Sequence, residues 1–260
     1  MHDPSHTDQR GKNITLPFPP KRIISLVPSQ TELLADLGLD QQVIGITKFC
    51  IHPPAWRKAK AVVGGTKHFD FEAIHNLRPD LIIGNKEENY KEGIEALEAR
   101  YPVWISDIVT LQDAFGMIAG VGQMTDASLA AGRIVDGIRE AFAQIKKHEG
   151  LSVLYLIWKK PWMAAGSGTF IHEMLTTIGL NNVAAHVPRY PELSSQQIQE
   201  WKPDLIFLSS EPYPFQDKHK AELQQLCPLS KILLVDGEMF SWYGSRLLKA
   251  PAYFNSLRLT

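Results

Sequence analysis

Short apolar runs alternate with helix-like stretches along this chain, and the alternation repeats itself. Ile74-His75-Asn76-Leu77-Arg78-Pro79-Asp80-Leu81-Ile82 is matched by Ile198-Gln199-Glu200-Trp201-Lys202-Pro203-Asp204-Leu205-Ile206. Each reads as a helix end, a proline break and a buried strand, because proline cannot continue a helix and the apolar run after it has strand length. Glu32-Leu33-Leu34 through Gly38-Leu39-Asp40 is echoed by Glu173-Met174-Leu175 through Gly179-Leu180-Asn181, and residues 103–107 are echoed by 232–236. The echoes keep one order in both halves, the mark of duplicated supersecondary units. Strands alternating with helices require parallel sheets. The expected fold class is therefore α/β, with two similar parallel-sheet lobes joined by a long helix. The expected boundaries are an N-terminal tail at 1–20, an N-terminal lobe at 21–110, the interlobe helix at 111–149 and a C-terminal lobe at 150–260.

Local signals place the elements. Residues 22–26 form a strand, and Ser29 with Glu32 three positions later has capping-box spacing ahead of a helix that buries Leu33, Leu34 and Leu37 and stops at Gly38. Strands follow at 43–47, 81–84 and 103–106, with a charged helix from Glu87. The stretch 111–147 is helical but interrupted near 122–126, where Thr125 or Asp126 can cap a new start. Beyond it, strands fall at 151–158, 204–209 and 231–236, and helices near 169–178, near 218–226 and from about Ser245.

Composition removes several function classes. Lys and Arg number 27 against 28 Asp and Glu, for a net charge of −1, which lacks the basic excess that phosphate backbones require. A 44% hydrophobic and 21% charged chain is globular rather than disordered. No apolar run approaches the roughly 18 residues of a membrane span. Residues 1–13 are polar, with no apolar core of an export signal, so as written the chain reads as cytosolic or as one from which a signal is missing. Cys50 and Cys227 are too few for a disulfide scaffold or a cysteine-only metal cage.

Catalytic signatures are missing. Gly-x-Ser-x-Gly, His-Glu-x-x-His, the P-loop and Gly-x-Gly-x-x-Gly do not occur. Gly166-Ser167-Gly168-Thr169 precedes a helix and reads as an ordinary helix-start turn, with anion binding on its N–H groups as the alternative. Asp107 and Asp236 end strands without evidence of proximity. Cys50, His52 and His68 match no compact zinc spacing, and His172 and His219 read as solvated helix residues. No metal site and no enzyme are expected.

What the strand-end loops do contain is aromatic. Ligands of parallel sheets sit beyond the carboxyl ends of the strands, and two facing lobes would make a groove there. Those loops carry Phe49, Trp162, the pair Arg189-Tyr190, the run Glu211-Pro212-Tyr213-Pro214-Phe215 and the run Glu238-Met239-Phe240-Ser241-Trp242-Tyr243. Rigid aromatic faces suit a planar or macrocyclic ligand, with Arg189, Glu211 and Glu238 meeting its polar edge.

The run Arg22-Ile23-Ile24-Ser25-Leu26-Val27-Pro28-Ser29-Gln30-Thr31-Glu32 resembles the opening of class III periplasmic substrate-binding proteins of ABC importers, which carry vitamin B12, haem or iron–siderophores. Val43-Ile44-Gly45-Ile46, His52-Pro53-Pro54, Val63-Gly64-Gly65, Phe71-Glu72-Ala73-Ile74 and Lys/Arg-Pro-Asp-Leu-Ile follow in that family's order. The likeness runs from about residue 20 to the end. It implies two lobes bridged by a rigid helix, with limited closure on ligand. Among its members the vitamin B12 binders look most similar. The resemblance places Phe49, Trp162 and Tyr190 at aromatic cleft positions, and Glu238 with 240–243 on the last cleft loop. Thr66 and Asn85 stand where that group has cleft tryptophans, which makes this wall more polar. The resemblance also implies docking to a permease through one exposed acid per lobe. Glu72 matches the first position and Gln196, a neutral amide, the second.

The resulting expectation is a binding protein, a monomer with no intrinsic cofactor, that captures a corrinoid, haem or ferric siderophore for ABC-type import. The resemblance makes it periplasmic. A cytosolic corrinoid- or haem-handling protein without a permease, and an α/β enzyme acting on a bound cofactor, are the alternatives.

Overall fold

The structure, a computed structural model, describes residues 5–259. Its contacts divide the chain into two compact units. Unit 1 comprises residues 1–108, 112–139 and 243–246, and unit 2 comprises 109–111, 140–242 and 247–260.

Unit 1 contains β1 (Ser5–Thr7), β2 (Asn13–Thr15), β3 (Ile23–Ser25), α1 (Pro28–Asp36), β4 (Val43–Ile46), α2 (Trp56–Ala59), β5 (Ala61–Val62), α3 (Phe71–Leu77), β6 (Leu81–Asn85), α4 (Lys91–Glu98) and β7 (Val103–Ser106). Its main sheet has the order β5-β4-β3-β6-β7, with every pair parallel. The central strands are buried on both faces, as helices on each side of a parallel sheet require. Ile24, Ile82 and Ile105 pack there with Ile74 of α3 and Leu97 of α4.

Unit 2 repeats the plan. It contains β8 (Ser152–Trp158), β9 (Trp162–Ala164), α7 (Phe170–Thr177), β10 (Asn181–Asn182), β11 (Glu192–Leu193), α8 (Ser195–Trp201), β12 (Leu205–Ser209), α9 (Asp217–Leu226), β13 (Lys231–Val235), α10 (Glu238–Ser241), a 3-10 turn (Ser245–Leu248, shared with unit 1) and α11 (Ala250–Ser256). The parallel strands run β10-β8-β12-β13, the counterparts of β4-β3-β6-β7. The difference is an antiparallel addition, β9 on β8 and β11 on β9.

The repeated Pro-Asp has a physical cause. Arg78 and Lys202 end α3 and α8 in the left-handed conformation, at φ 45° and 43°. The proline that follows blocks any continuation. The aspartate then ties one strand start to its neighbour. The carboxylate of Asp80 accepts from Lys21 N and Arg22 N, both at 2.9 Å. Asp204 Oδ2 accepts from Ser152 N at 2.8 Å and Ser152 Oγ at 2.6 Å. The side-chain and backbone hydrogen bonds from Ser152 hold the Asp204 carboxyl below its ordinary pKa.

The helical stretch expected over 111–149, with its interruption near 122–126, is two helices, α5 (Leu111–Met124) and α6 (Ser128–Ala143). Residues 112–139 fold with unit 1. The break lies at 125–127, where Asp126 takes φ 60°. A Cβ at Gly122 would lie 2.4 Å from Ala131 Cβ, so glycine lets the two helices approach closely at this corner.

Several local expectations need correction. The expected N-terminal tail at 1–20 carries regular structure at 5–15. β1 and β2 form an antiparallel hairpin whose turn is closed by Asp8, which accepts from Arg10 N at 2.9 Å and Lys12 N at 2.8 Å. Gln9 covers the outer edge of β7: its N–H donates to Ile105 O and its Oε1 accepts from Asp107 N, each at 3.1 Å. The capping box at Ser29 does not form. The N-cap of α1 is Val27, Pro28 starts the helix, Ser29 is buried, and Glu32 is drawn into a buried ion pair with Arg246 at 2.8 Å. A capping box forms instead at Ser194 and Gln197. The helix expected from Glu87 starts at Lys91, because Asn85 Oδ1 holds Glu87 N and Glu88 N in a turn at 2.8 and 3.0 Å. The terminal helix is a 3-10 turn followed by α11.

Candidate functional site

The carboxyl ends of the unit 2 strands gather most of the expected ligand residues. β8 ends on Trp158, which is 39% exposed. Tyr213 meets it edge to face at 5.5 Å and is half-buried. Behind them Phe215 stacks parallel to Trp162 at 6.2 Å, and both are nearly sealed in the core with Leu208 and Ile206. Lys159 places its ammonium 5.2 Å from the Trp162 ring. Trp162 and Phe215 therefore back the aromatic surface rather than form it, a correction to the expectation that they line it. His219 is the reason the run folds inward. Its Nδ1 accepts from Gln216 N at 2.9 Å and its Nε2 lies 3.3 Å from the Tyr213 hydroxyl. It is 4% exposed, so it is a core histidine and not a solvated one. His172 is likewise half-buried, 3.2 Å from Asn182.

Glu211 lies just beyond β12 and is half-buried. Its Oε1 accepts from Trp242 Nε1 at 2.8 Å and from Ser241 Oγ at 2.9 Å. Burial pushes its pKa above the ordinary carboxylate value. The two donors oppose that shift, and the charges of Glu238 and Asp236 add to it. Trp242 is 6% exposed, so its indole holds Glu211 and offers little face to a ligand. Glu238 is half-buried at the start of α10, and its N–H donates to Asp236 Oδ1 at 3.1 Å.

Arg189 and Tyr190 lie between β10 and β11 of unit 2. Arg189 takes φ 62°, donates from Nη1 to Gly168 O at 2.5 Å and lies 5.7 Å from the Tyr190 ring. This pairing also decides the Gly166–Thr169 turn. Gly166 N and Ser167 N donate to Arg189 O and Val187 O, and Thr169 caps α7. With Gly166 N and Ser167 N so engaged and Thr169 as the side-chain cap, the turn has the form of an ordinary helix start.

In unit 1, Phe49 follows β4 and is 51% exposed, with Lys48 Nζ 5.2 Å from its ring. Cys50 anchors that turn from below, its sulfur 3.0 Å from Thr31 Oγ1 and 3.2 Å from Thr47 Oγ1. Both cysteines are free and buried. Thr66 is half-buried, and its carbonyl accepts from Asn89 Nδ2 at 3.1 Å. Asn85 is a correction. It is 1% exposed and every hydrogen-bonding capacity of its amide is used: Nδ2 donates to Ser106 O and Oγ, and Oδ1 accepts from Glu87 N and Glu88 N. It builds the loop and has nothing left for a ligand. Tyr243 also points inward, donating to Glu88 Oε1 at 2.6 Å, and burial next to that carboxylate raises its pKa.

Glu72 and Gln196 occupy one equivalent place. Each is the second residue of its helix, α3 or α8, after a side-chain N-cap, Asp70 or Ser194, and each is exposed. Gln196 Nε2 donates to Glu200 Oε1 at 2.8 Å.

Sequence reasoning missed Trp158 and the hold that Ser241 and Trp242 have on Glu211. The signal for Trp158 was its place at the very end of an apolar run, directly before Lys-Lys-Pro. Among the described residues no group of three or more His, Cys, Asp or Glu could hold a metal, and no helix is long and apolar enough to cross a membrane.

Known proteins share this fold. The chain is 28% identical over 213 residues to YvrC of Bacillus subtilis strain 168, an uncharacterised ABC transporter substrate-binding lipoprotein, covering 76% of this chain and 67% of the relative. It is 24% identical over 240 residues to the vitamin B12-binding protein of Pectobacterium carotovorum, covering 89% and 86%. The periplasmic haem-binding protein HutB of Vibrio cholerae superposes with a TM-score of 0.77 at 21% identity, over 90% of this chain and 97% of that one. The relatives are substrate-binding proteins and not enzymes. The periplasmic binding protein family matches at residues 23–227, and with that span covered the chain belongs to it.

Proposed function

We propose that this protein captures a corrinoid, or a closely related planar metal chelate, and delivers it to an ABC-type importer outside the cytoplasmic membrane. The observation that carries the reading is the exposed Trp158 ring at the carboxyl end of β8, backed edge to face by the half-buried Tyr213, with Glu211 held just beyond β12. A planar macrocycle gains dispersion and apolar burial on such a surface, and its polar rim meets the carboxylate and loop backbone. Relatives named as vitamin B12-binding and haem-binding proteins support the ligand class. Within unit 2, Glu238, Arg189 and Tyr190 supply further polar and aromatic edges.

Absorption titration tests it with cyanocobalamin, dicyanocobinamide, haemin and a ferric hydroxamate. Saturable binding of one of them, with the ligand recovered unchanged, is the expected result. No spectral change with any of them overturns the assignment.

Gln196 favours a second reading, in which the protein handles a corrinoid or haem without a permease. The resemblance asks for an exposed acid there, and this chain has an amide already engaged by Glu200. Fractionation of source cells separates the two. Protein confined outside the inner membrane rules the second reading out.

A further inference from the structure

The ligand's rim chemistry follows from how Glu211 is built. Its Oε1 is fixed by two donors, the Trp242 indole and the Ser241 hydroxyl. Its backbone is pinned as well, since Ser209 Oγ donates to Glu211 O at 2.5 Å and accepts from Glu211 N at 3.4 Å. The side chain lies where another residue's Cβ would stand. A Cβ on Gly237 would come within 2.7 Å of Glu211 Cγ and 2.5 Å of Ser209 Oγ, so the glycine is what admits this carboxylate. The second oxygen, Oε2, receives no hydrogen bond from any described residue and is not sealed from solvent. Asp236 and Glu238 add negative potential around it. A held acceptor with one unused oxygen asks for a hydrogen-bond donor from the ligand.

Resting on the function proposed above, we infer that Glu211 selects ligands by their rim, admitting macrocycles edged with amide N–H donors and rejecting those edged with carboxylates. The amide-bearing corrinoids satisfy Oε2. The two propionates of haem, or a corrinoid whose side chains are free acids, bring like charge against a carboxylate that cannot turn away.

The test compares dicyanocobinamide with dicyanocobyrinic acid, the same ring with carboxylates in place of amides, and with haemin. The wild-type protein is expected to bind dicyanocobinamide at least about tenfold more tightly than either acid, a difference of about 1.4 kcal/mol. Glu211→Gln keeps an oxygen for Trp242 and Ser241 and turns the outer atom into a donor. The variant is expected to shrink the preference to about threefold or less, with its circular dichroism melt unchanged. Equal wild-type affinity for the amide and acid rings, or an unaltered preference in Glu211→Gln, overturns this inference and leaves the function reading intact. A wild-type protein that binds none of the chelates overturns both. Should Glu211→Gln not fold, the wild-type preference alone decides.

Discussion

Glu32 and Arg246 lie 214 positions apart and meet at 2.8 Å in the interior of unit 1, each side chain only 8% exposed. Removing one partner strands the other charge away from water. Breaking a buried pair in this way costs about 3–5 kcal/mol, whereas replacing both partners with apolar groups of similar volume is often near neutral. At roughly 2–4 °C of melting temperature per kcal/mol for a chain of this size, Arg246→Met alone should lower the melting temperature by about 6–20 °C. Glu32→Leu alone should do much the same. The double variant Glu32→Leu/Arg246→Met should recover most of the loss. Urea unfolding of the wild type, both singles and the double, followed by far-ultraviolet circular dichroism, gives the coupling energy directly. A double variant as unstable as the sum of the two singles would refute the reasoning, because it would mean that each side chain stabilises unit 1 by itself and not through the other.

Trp158→Ala removes the exposed ring while leaving the core beneath it. It should weaken chelate binding about tenfold or more in the absorption titration, with stability changed by less than about 1 kcal/mol. Gly237→Ala places a methyl group against Ser209 and Glu211, and should cost about 1–3 kcal/mol in urea unfolding while also weakening binding. Asp204 has a folded-state pKa below its unfolded value, so its stabilisation is present above about pH 4 and is lost as pH falls through the lowered value. Asp204→Asn should therefore flatten the acid limb of the urea midpoint plotted against pH. Cys50 and Cys227 are both buried, and burial raises both thiols. Neither should react with a disulfide reagent at pH 8 until urea unfolds the chain.

The hairpin at 5–15 and the fate of Glu32 show where local reading stops. Polar residues near a chain start carry no periodicity, so nothing in 1–20 announces a strand. The hairpin exists because Gln9 finds the edge of β7 about a hundred residues away. Ser29 and Glu32 had the spacing of a capping box, but Pro28 at the first helical turn and Arg246 far downstream claimed them for other work. Phe215 and Asn85 turn inward, against expectation, for one shared reason. Loop position marks a residue as able to face solvent, and it cannot say whether a stacked Trp162 or a bonded Ser106 turns that residue inward.

Along the chain, apolar periodicity, proline breaks and the repeated Pro-Asp were enough to establish an α/β fold, its duplicated units and the break between α5 and α6. Those properties depend on neighbours within a few residues, and the aspartate that ties adjacent strands does the same work at Asp80 and Asp204. The tertiary structure alone decided which polar groups are committed and which remain for a ligand. Glu211 and Asn85 are both polar residues at strand ends, yet one keeps an unused oxygen and the other keeps nothing, because a partner that completes each, Trp242 for Glu211 and Ser106 for Asn85, comes from a distant segment that only folding brings within 3 Å.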